Sequence, residues 1–373
     1  MGRTSEKLKE YKEENKMEPH LRRIVNPLLT WYETHRRELP WRLDQDPYHV
    51  WVSEIMLQQT RVEAVKKYYA RFIKALPNVQ SLSEVPEDRL LKLWEGLGYY
   101  SRARNLKKAA QTIVRDCGGV FPDTFAALMK LPGVGEYTAG AVASICFHEK
   151  VTAVDGNVLR VVARVTGSRE NVLLPAVKKQ MEAQLREVLP DDAGTFNEAI
   201  MELGETVCLP NGAAKCGDCP LRGVCTAHRD RLTAELPVRV KQTRRRQEQR
   251  TVFLLTAEND GLTDSHMTHG KIALEKRPGK GLLAGMYQLP NVEGFRTEQE
   301  IRATVETWGM QVLEIIFIKE AKHVFTHLDW FMKGYQVKVA HPAGNFLWVT
   351  PEDLRERYAL PTALKPFAPS PTV

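Results

Sequence analysis

The spacing of hydrophobic residues divides the chain into two parts. Up to about residue 228, apolar residues recur with helical periodicity and few stretches alternate. After Thr251 the apolar runs become short, strand-like and broken by turns, with one helical segment near 297–308. The pattern therefore predicts a multidomain protein, with an all-α N-terminal half followed by a smaller α/β (α+β) half. The helical runs include IVNPLLTWYETHR, DPYHVWVSEIMLQQT, EDRLLKLWEGL, VLRVVARV and FNEAIMELGETVC; the strand-like runs are TVFLLTA, KIALEKR, MYQLP, VLEIIFIKEA, WFMKGYQVKVA and NFLWVT.

The segment between the two halves, ELPVRVKQTRRRQEQR, is charged and has no apolar face. It predicts an exposed basic linker, which we place at 229–250. The remaining boundaries follow from the change in pattern. We expect a charged extension over 1–19, a helical region over 20–228, an α/β domain over 251–365 and a tail over 366–373.

Length and charge limit the class of protein without identifying it. A chain of 373 residues suggests two or three domains. Lys and Arg number 53 against 46 Asp and Glu, and the net charge of +7 permits a polyanionic partner without requiring one. No apolar run approaches the roughly 20 residues of a spanning helix, and the first residues lack a signal peptide's apolar core. We therefore expect a cytoplasmic protein with no membrane contact.

Four of the six cysteines lie within 18 residues, in a C-x7-C-x2-C-x5-C run. Clustered thiols in a cytosolic chain indicate a metal site, because disulfides rarely persist there. Only one CxxC pair is present, whereas four-thiolate zinc sites usually have two, and this asymmetry favours a [4Fe-4S] cluster. Cys117 and Cys146 stand alone and are interpreted as small buried hydrophobes. The predicted ligands are Cys208, Cys216, Cys219 and Cys225.

Glu54 is an acidic residue on an otherwise apolar helical stripe. Asp46 and Pro47 form an N-cap and first-turn pair for a helix running through Leu57, and Glu54 shares one face of it with Val50. Desolvation there would raise the pKa of Glu54 and keep a proton available near neutral pH. A buried glutamate satisfied by hydrogen bonds is an equally good interpretation of this helix alone.

Asp155 stands directly before a strongly periodic apolar helix in AVDGNVLRVVARV. Backbone N–H groups and the helix dipole favour the ionised carboxylate there, and a simple N-cap is the plainer interpretation. A proton-carrying glutamate together with an ionised aspartate is nevertheless the pair that glycosidic bond cleavage requires.

Two further segments carry features suited to a nucleic acid. In LPGVGEYTAGAV, Gly133 and Gly135 lie in a turn between two predicted helices, where bare backbone amides can approach a phosphate. In WEGLGYYSRARN, Tyr99 and Tyr100 stand just before two arginines, a combination suited to insertion between stacked bases beside phosphate contacts. A hairpin that binds nothing and a pair of core tyrosines are the alternatives.

With these residues in order, the chain resembles the helix-hairpin-helix DNA glycosylases that carry an iron–sulfur cluster, and among them the MutY adenine DNA glycosylases. The resemblance is dense over about residues 20–228 and looser beyond. It implies a six-helix barrel at about 40–133, a cluster domain formed by 20–39 and 134–228, and a C-terminal Nudix-like domain. The motifs that carry it are PWR at 40–42, WVSEIMLQQTRV, WEGLGYYSRARNL, LPGVGEYTAGA, AVDGNV, FNEAIMELG and the cysteine run.

The resemblance also implies roles for individual residues. Glu54 would protonate N7 of adenine, Asp155 would stabilise or capture the oxocarbenium ion, and Asn157 would support Asp155. Tyr137 stands where bifunctional relatives have a Schiff-base lysine, which implies that water, not an amine, completes the reaction. Arg42 and Glu198 would line the adenine pocket. Gln59, Thr60 and Tyr99 would contact the DNA duplex around the opposing base.

In the C-terminal half, HVFTHL resembles the loop that reads 8-oxoguanine in this family, here Phe325, Thr326 and His327. Threonine stands where the family usually has serine, and the first cysteine gap has seven residues where the family usually has six. The segment TEQEIRATVETWG lacks the paired glutamates of a Nudix hydrolase, which argues against metal-dependent nucleotide hydrolysis.

The sequence thus predicts a monomeric enzyme that excises adenine paired with 8-oxoguanine or G in duplex DNA, associated with the nucleoid. Two alternatives remain open. One is a bifunctional glycosylase and lyase acting on damaged pyrimidines, and the other is a non-catalytic iron–sulfur DNA-binding protein.

Overall fold

The computed structural model describes residues 20–211, 214–240, 245–257 and 270–369. The predicted extension over 1–19 and the end of the predicted tail, 370–373, lie outside the described residues, as does Arg244 of the predicted linker. The chain divides into two compact units. The first contains Met1–Ile73, Pro77–Ser83 and Lys108–Gln242, and the second contains Lys74–Leu76, Glu84–Lys107 and Thr243–Val373.

The sequence predicted an all-α N-terminal half, and the structure gives the bounds of its helices. None of the helices within the described ranges is long and apolar enough to cross a membrane. The helices are α1 (Val25–His35), α2 (Pro47–Leu57), α3 (Val62–Ala75), α4 (Val79–Glu84), α5 (Glu87–Leu93), α6 (Ser101–Cys117), α7 (Phe125–Leu128), α8 (Glu136–Phe147), α9 (Gly156–Thr166), α10 (Pro175–Val188), α11 (Ala193–Thr206) and α12 (Thr226–Arg229).

Local sequence explains where the two helices that carry the central acidic residues begin. Asp46 accepts a hydrogen bond from Tyr48 N, and Pro47 occupies the first turn of α2, where its missing N–H costs nothing. Asp155 caps α9 by accepting from Asn157 N and Val158 N. Both caps are as predicted. The first of the two helices predicted around the Gly133 and Gly135 turn is only Phe125–Leu128, capped by Thr124.

One apolar core holds the first unit together. It is formed by buried side chains of α1, α9, α10 and α11, among them Leu28, Val162 and Phe196. Helices α9 and α11 pack closely at Gly204, where an added Cβ would lie 2.7 Å from Cβ of Asn157. This close approach fixes the position of Asn157, because any larger side chain on α11 would displace it.

The second unit contains a mixed β-sheet. The sheet order is β3-β2-β1-β6-β5, with β4 added to β1 and β7 added to β2. Strands β1 and β6 are parallel, with Arg246 opposite Leu328, and the other described pairs are antiparallel. Its elements are β1 (Arg246–Ala257), β2 (Lys271–Lys276), β3 (Tyr287–Gln288), β4 (Asn291–Glu293), α13 (Glu298–Thr307), β5 (Val312–Val324), β6 (Leu328–Val339), β7 (Leu347–Val349) and α14 (Pro351–Glu356).

The predicted linker is partly wrong at both ends. Strand β1 already begins at Arg246, because 246–250 pair with β6. At the other end Leu236 is buried, and its carbonyl accepts from Arg164 Nε at 2.9 Å. The segment 229–240 therefore packs on the first unit. The absence of an apolar face concealed both facts, because backbone pairing and one anchored leucine leave little periodic signal.

Residues 84–107 also differ from the expected division, since the sequence placed them in the helical region. They group instead with the sheet in the second unit. Lys92 Nζ donates to the carbonyl of Tyr358 at 3.0 Å, and Glu95 pairs with Lys365 at 3.2 Å. Such long-range interactions have no counterpart in local sequence pattern.

Candidate active site

A cavity of about 1070 Å³ in the first unit collects most of the predicted site residues. Helices α2, α8, α9 and α11 contribute to its walls. The predicted residues among its lining are Arg42, Glu54, Gln59, Thr60, Tyr137, Asp155, Asn157 and Glu198.

Glu54 is buried in this cavity, with only 6% of its surface exposed. The Tyr137 hydroxyl donates a short hydrogen bond to its Oε2 and also lies 3.3 Å from Sδ of Met201. Burial raises the pKa of Glu54 to about 7, the nearby charge of Asp155 also raises it, and the Tyr137 hydrogen bond lowers it. Glu54 therefore has the buried environment and raised pKa expected from the sequence, and its role as a proton carrier stays a prediction.

Asp155 has many more donors than Glu54. Its Oδ1 accepts from Asn157 N and Val158 N, both at 2.8 Å, and its Oδ2 accepts from Asn157 Nδ2 at 2.8 Å. The sequence led us to expect a carboxyl whose ionised form is favoured overall. Instead, burial raises the pKa of Asp155 and outweighs the hydrogen bonds and the charge of Arg160, which lower it. The cap was predictable from the sequence, whereas the depth of burial was not.

Arg42 and Glu198 form one side of the cavity, as part of a network of charges. Arg42 Nε pairs with Glu198 Oε1 at 3.0 Å, and its Nη1 pairs with Glu202 Oε2 at 3.0 Å. Arg37 forms an ion pair with Glu202 as well. Glu202 is 1% exposed, so it depends on both guanidiniums for charge compensation.

Glu202 was missed by sequence reasoning, and so was Arg160. Arg160 donates to Asn157 Oδ1 at 2.7 Å, to the carbonyl of Gly204 at 2.7 Å and to the carbonyl of Cys208 at 2.8 Å. A weak signal existed in each case, because a charged residue on the apolar side of a helix requires buried partners. The identity of those partners is a property of the fold.

The hairpin glycines do not line the cavity. Gly133 has φ of 76°, a left-handed conformation that a side chain would strain, and it ends the turn before α8. Gly135 caps α8, and an added Cβ there would meet no atom within 4 Å. The bare backbone at Gly135 therefore faces open space, as an approach to a phosphate requires.

A second cavity, of about 810 Å³, lies within the second unit. Its lining includes the loop residues Phe325, Thr326 and His327 together with Tyr99. The Tyr99 hydroxyl lies 3.2 Å from Oγ1 of Thr326. The loop itself is closed by a hydrogen bond from Phe325 N to the carbonyl of Leu328 at 2.8 Å.

Tyr99 and Tyr100 have different environments. Tyr99 is 47% exposed and has φ of 47°, whereas Tyr100 is a core residue with 5% exposure. The insertion interpretation therefore fits Tyr99, and the core interpretation fits Tyr100. Arg102 holds the turn before them by donating to the carbonyls of Leu97 and Gly98, at 3.3 and 3.2 Å.

The two arginines of this segment were expected to meet phosphates, and the structure engages both internally. Arg102 binds the turn carbonyls, and Arg104 Nε pairs with Glu87 at 3.0 Å. Burial lowers the pKa of Arg102 to about 10. Neighbouring aromatic and basic residues in the sequence do not reveal that Arg102 bonds to its own turn and that Arg104 pairs with Glu87 of α5.

The four clustered cysteines come together as neighbours. All four thiols are free and partly buried, and the pKa of Cys219, raised chiefly by burial, is influenced by the other three. The Arg164 guanidinium lies 3.3 Å from Sγ of Cys208. No group of three ligands at single-ion spacing occurs among the described residues.

Family comparisons agree with both units. Residues 52–191 match the model described as HhH-GPD superfamily base excision DNA repair protein, and residues 266–369 match the NUDIX domain. A protein of Rattus norvegicus named adenine DNA glycosylase is 33% identical over 91% of this chain and 76% of its own length. One of the same name from Buchnera aphidicola subsp. Baizongia pistaciae is 32% identical over 82% of this chain and 83% of its own length.

Solved structures match the helical part. A thermostable thymine-DNA glycosylase superposes with a TM-score of 0.51 and 30% identity, covering 58% of this chain and 98% of its own. A non-covalent endonuclease III–DNA complex gives a TM-score of 0.50 over the same shares at 24% identity, and supports the fold alone. Two units, a cavity with paired carboxylates and relatives that align over most of both chains lead to one conclusion: the protein belongs to the adenine DNA glycosylase family.

Proposed function

We propose that this protein excises adenine paired with 8-oxoguanine, and with G, from duplex DNA. The observation that carries the proposal is the placing of Glu54 and Asp155 in one cavity, each with a pKa raised by burial but with unequal numbers of donors. Adenine is proposed as the excised base because the relatives are named adenine DNA glycosylases. The C-terminal loop and Tyr99 provide a separate cavity for reading the opposite base.

The donors around the two carboxyls assign their roles. Asp155 accepts three hydrogen bonds and Glu54 accepts one from Tyr137, so we infer that Glu54 is the carboxyl that holds a proton and Asp155 the one that ionises more readily. Glu54 gives that proton to N7 of adenine as the C1′–N9 bond breaks. Asp155 then stabilises the oxocarbenium ion and bonds to C1′. Water displaces the carboxylate and returns a proton to Glu54, so two steps at C1′ retain its configuration.

The supporting residues act on position and charge. Asn157 holds Asp155 through Nδ2, and Arg160 in turn holds the Asn157 oxygen. Arg42 and Glu198 would orient the flipped base from the opposite wall. The Gly133 and Gly135 hairpin would approach a phosphate, and Gln59, with φ of 59°, and Thr60 would contact the opposing base's strand.

The substrate class is tested by incubating the protein with duplexes that carry either adenine opposite G or an oxidised pyrimidine, and identifying the released base by mass. Adenine release without pyrimidine release is expected. Borohydride trapping provides the second arm. Tyr137 offers no amine at the Schiff-base position, so trapping should be weak. Strong trapping with pyrimidine release would favour the bifunctional alternative, and binding without any base release would favour the non-catalytic one.

Thr326 is the residue expected to govern reading of the opposite base. Thr326→Ala removes the hydroxyl that meets Tyr99 at 3.2 Å, whereas Thr326→Ser keeps it and removes only a methyl. One hydrogen bond is worth about 0.5–1.5 kcal/mol, so Thr326→Ala should reduce the preference for 8-oxoguanine over G by roughly 2- to 10-fold. Single-turnover rates on the two duplexes measure this preference. An equal reduction in the serine variant would show that the hydroxyl is not the discriminating group.

We further propose that Cys208, Cys216, Cys219 and Cys225 bind a [4Fe-4S] cluster. Once bound, the cluster would supply a rigid cross-link for the loop that follows α11. The thiols are mutual neighbours, and Leu221 between them is 1% exposed and packs in the core.

Cys219→Ser should lose the cluster and destabilise the protein. Removing a metal ligand costs on the order of 2 kcal/mol or more, which lowers the Tm by roughly 4–8 °C in a domain of this size. Iron and sulfide analysis gives the cluster content, and calorimetry gives the Tm. Cys117→Ser is the matched control, because Cys117 lies outside the run and is exposed, contrary to the buried position that the sequence predicted for it. A wild-type protein purified anaerobically with zinc and no iron would contradict the proposal.

A further inference from the structure

Six cations line the cavity of the first unit, and most of them are already engaged. Arg37 and Arg42 form ion pairs with buried glutamates, and Arg160 is bonded to Asn157 and two backbone carbonyls. Within the described ranges the other three form no ion pair: Arg61, Lys178 and Arg239. Arg61 belongs to the Gln59 and Thr60 segment, whereas Lys178 and Arg239 lie on elements beyond Asp155.

The Asn171 side chain forms hydrogen bonds that connect the segment before Lys178 to the segment that carries Arg239. Its Oδ1 accepts from Val240 N at 3.2 Å, and its Nδ2 donates to the carbonyl of Val240 at 3.2 Å. Val172 N donates to the carbonyl of Val238 at 3.1 Å. Residues 238 and 240 are thus held on one side. Arg239 lies between these two anchored residues and lines the cavity.

The same turn also sets the backbone position of Lys178. Leu174 N donates to the carbonyl of Asn171 at 3.0 Å, and Lys178 N donates to the carbonyl of Leu174 at 3.1 Å as α10 begins. One short turn therefore fixes the backbone of both cations. Because this backbone is already ordered, less conformational entropy is lost when the two side chains bind an anion.

Arg239 is exposed and lies at the amino end of α9. Its Nη2 lies 3.4 Å from the carbonyl of Gly156, the first residue of α9. The amino end of a helix carries partial positive charge, so a guanidinium there is unfavourable unless an anion is close. Asp155 is the neighbouring anion, and its oxygens are already occupied by three donors. Arg239 is exposed and forms no ion pair within the described ranges, so it is available to a negative group that enters this end of the cavity.

We propose that Arg239 and Lys178 bind backbone phosphates of the DNA strand beside the nucleotide held in the cavity, an inference that rests on the proposed function. A phosphodiester is a suitable anion for this end of the cavity, because it carries one negative charge and accepts two parallel N–H bonds from an arginine. Its binding would fix the sugar of the flipped nucleotide relative to Asp155. Arg239 lies outside all the motifs that suggested the function, in a stretch expected to be an exposed linker.

The test uses the full protein and compares Arg239→Gln and Lys178→Gln with Lys179→Gln. Lys179 neighbours Lys178 on α10, is exposed and does not line the cavity, so it controls for the same change of charge. Affinity for a duplex containing an abasic-site analogue is measured as a function of salt. Removing one cation that binds a phosphate should lower the slope of log K against log salt by about 0.9, in the first two variants and not in the third. Affinity should fall about tenfold for Arg239→Gln.

A second arm identifies the phosphate. Phosphates around the lesion are replaced one at a time by neutral methylphosphonates. One replacement should weaken binding by the wild type and have no further effect on Arg239→Gln, as expected when both changes remove one interaction. Unchanged salt slopes, or methylphosphonate effects that add fully to that variant at every position, would overturn the proposal. If the variants change the salt slope but the protein releases no adenine, the proposed function fails and phosphate binding stands. If adenine is released but the salt slopes are unchanged, phosphate binding by these residues fails and the proposed function stands.

Discussion

Asp155→Asn should reduce single-turnover adenine release on the order of 10³-fold or more while leaving binding to an 8-oxoguanine duplex intact. The asparagine oxygen can still accept from Asn157 N and Val158 N, so the cap of α9 is preserved. The substitution removes both the negative charge that stabilises the oxocarbenium ion and the nucleophile for C1′. Rapid-quench kinetics and duplex affinity together measure the two effects.

A matched control exists on another helix. Asp192 caps α11 by accepting from Thr195 N at 3.1 Å, and Asp192→Asn makes the same change away from the cavity. That variant should keep the wild-type rate. Undiminished excision by Asp155→Asn would show that the carboxylate is not needed and would eliminate the assigned mechanism.

Glu54→Gln should lower the same rate by roughly 10²- to 10⁴-fold, the usual contribution of a general acid. Glutamine retains an acceptor for the Tyr137 hydroxyl but has no proton to deliver. Glu187→Gln, an exposed change on α10, is the control. A variant with the wild-type rate would require a different proton source.

The pH dependence of the wild type tests the same residue independently. The pKa of Glu54 is raised by burial from 4.5 to about 7, so the protonated acid predominates below that value. The excision rate should therefore fall as the pH rises above about 7. The folded state also binds this proton more tightly than the unfolded state, so stability decreases as the pH rises from 4.5 to about 7. Glu54→Gln should lose less stability across that window, and no such difference would argue against the raised pKa.

Local features of this chain were predictable because their causes are local. Asp46 and Asp155 cap their helices as expected, because an aspartate oxygen directly before a helix can accept hydrogen bonds from the free backbone N–H groups of the first turn. Helix α13 (Glu298–Thr307) falls within the predicted segment, with Thr297 and Glu300 forming a capping box. The six strand-like runs each contain a strand, while the three-residue β4 was too short to give a signal.

Features that depend on distant partners were not predictable. Glu202 is buried because Arg37 and Arg42 reach it from residues 160 or more positions away. Arg102 turns back to two carbonyls of its own loop, so its charge is not offered to a partner. The linker contained a buried Leu236 and a cavity-facing Arg239 for the same reason. A residue type and its spacing give the chemistry that is possible, and the fold decides which partner it meets.

The central claim is that adenine is removed by Glu54 and Asp155 when the opposite base is 8-oxoguanine. Single-turnover adenine release from three duplexes, with 8-oxoguanine, G or T opposite the adenine, tests it most directly. The account predicts the fastest release opposite 8-oxoguanine, slower release opposite G and the least opposite T. Equal rates on all three, or no free adenine from any of them, would contradict it.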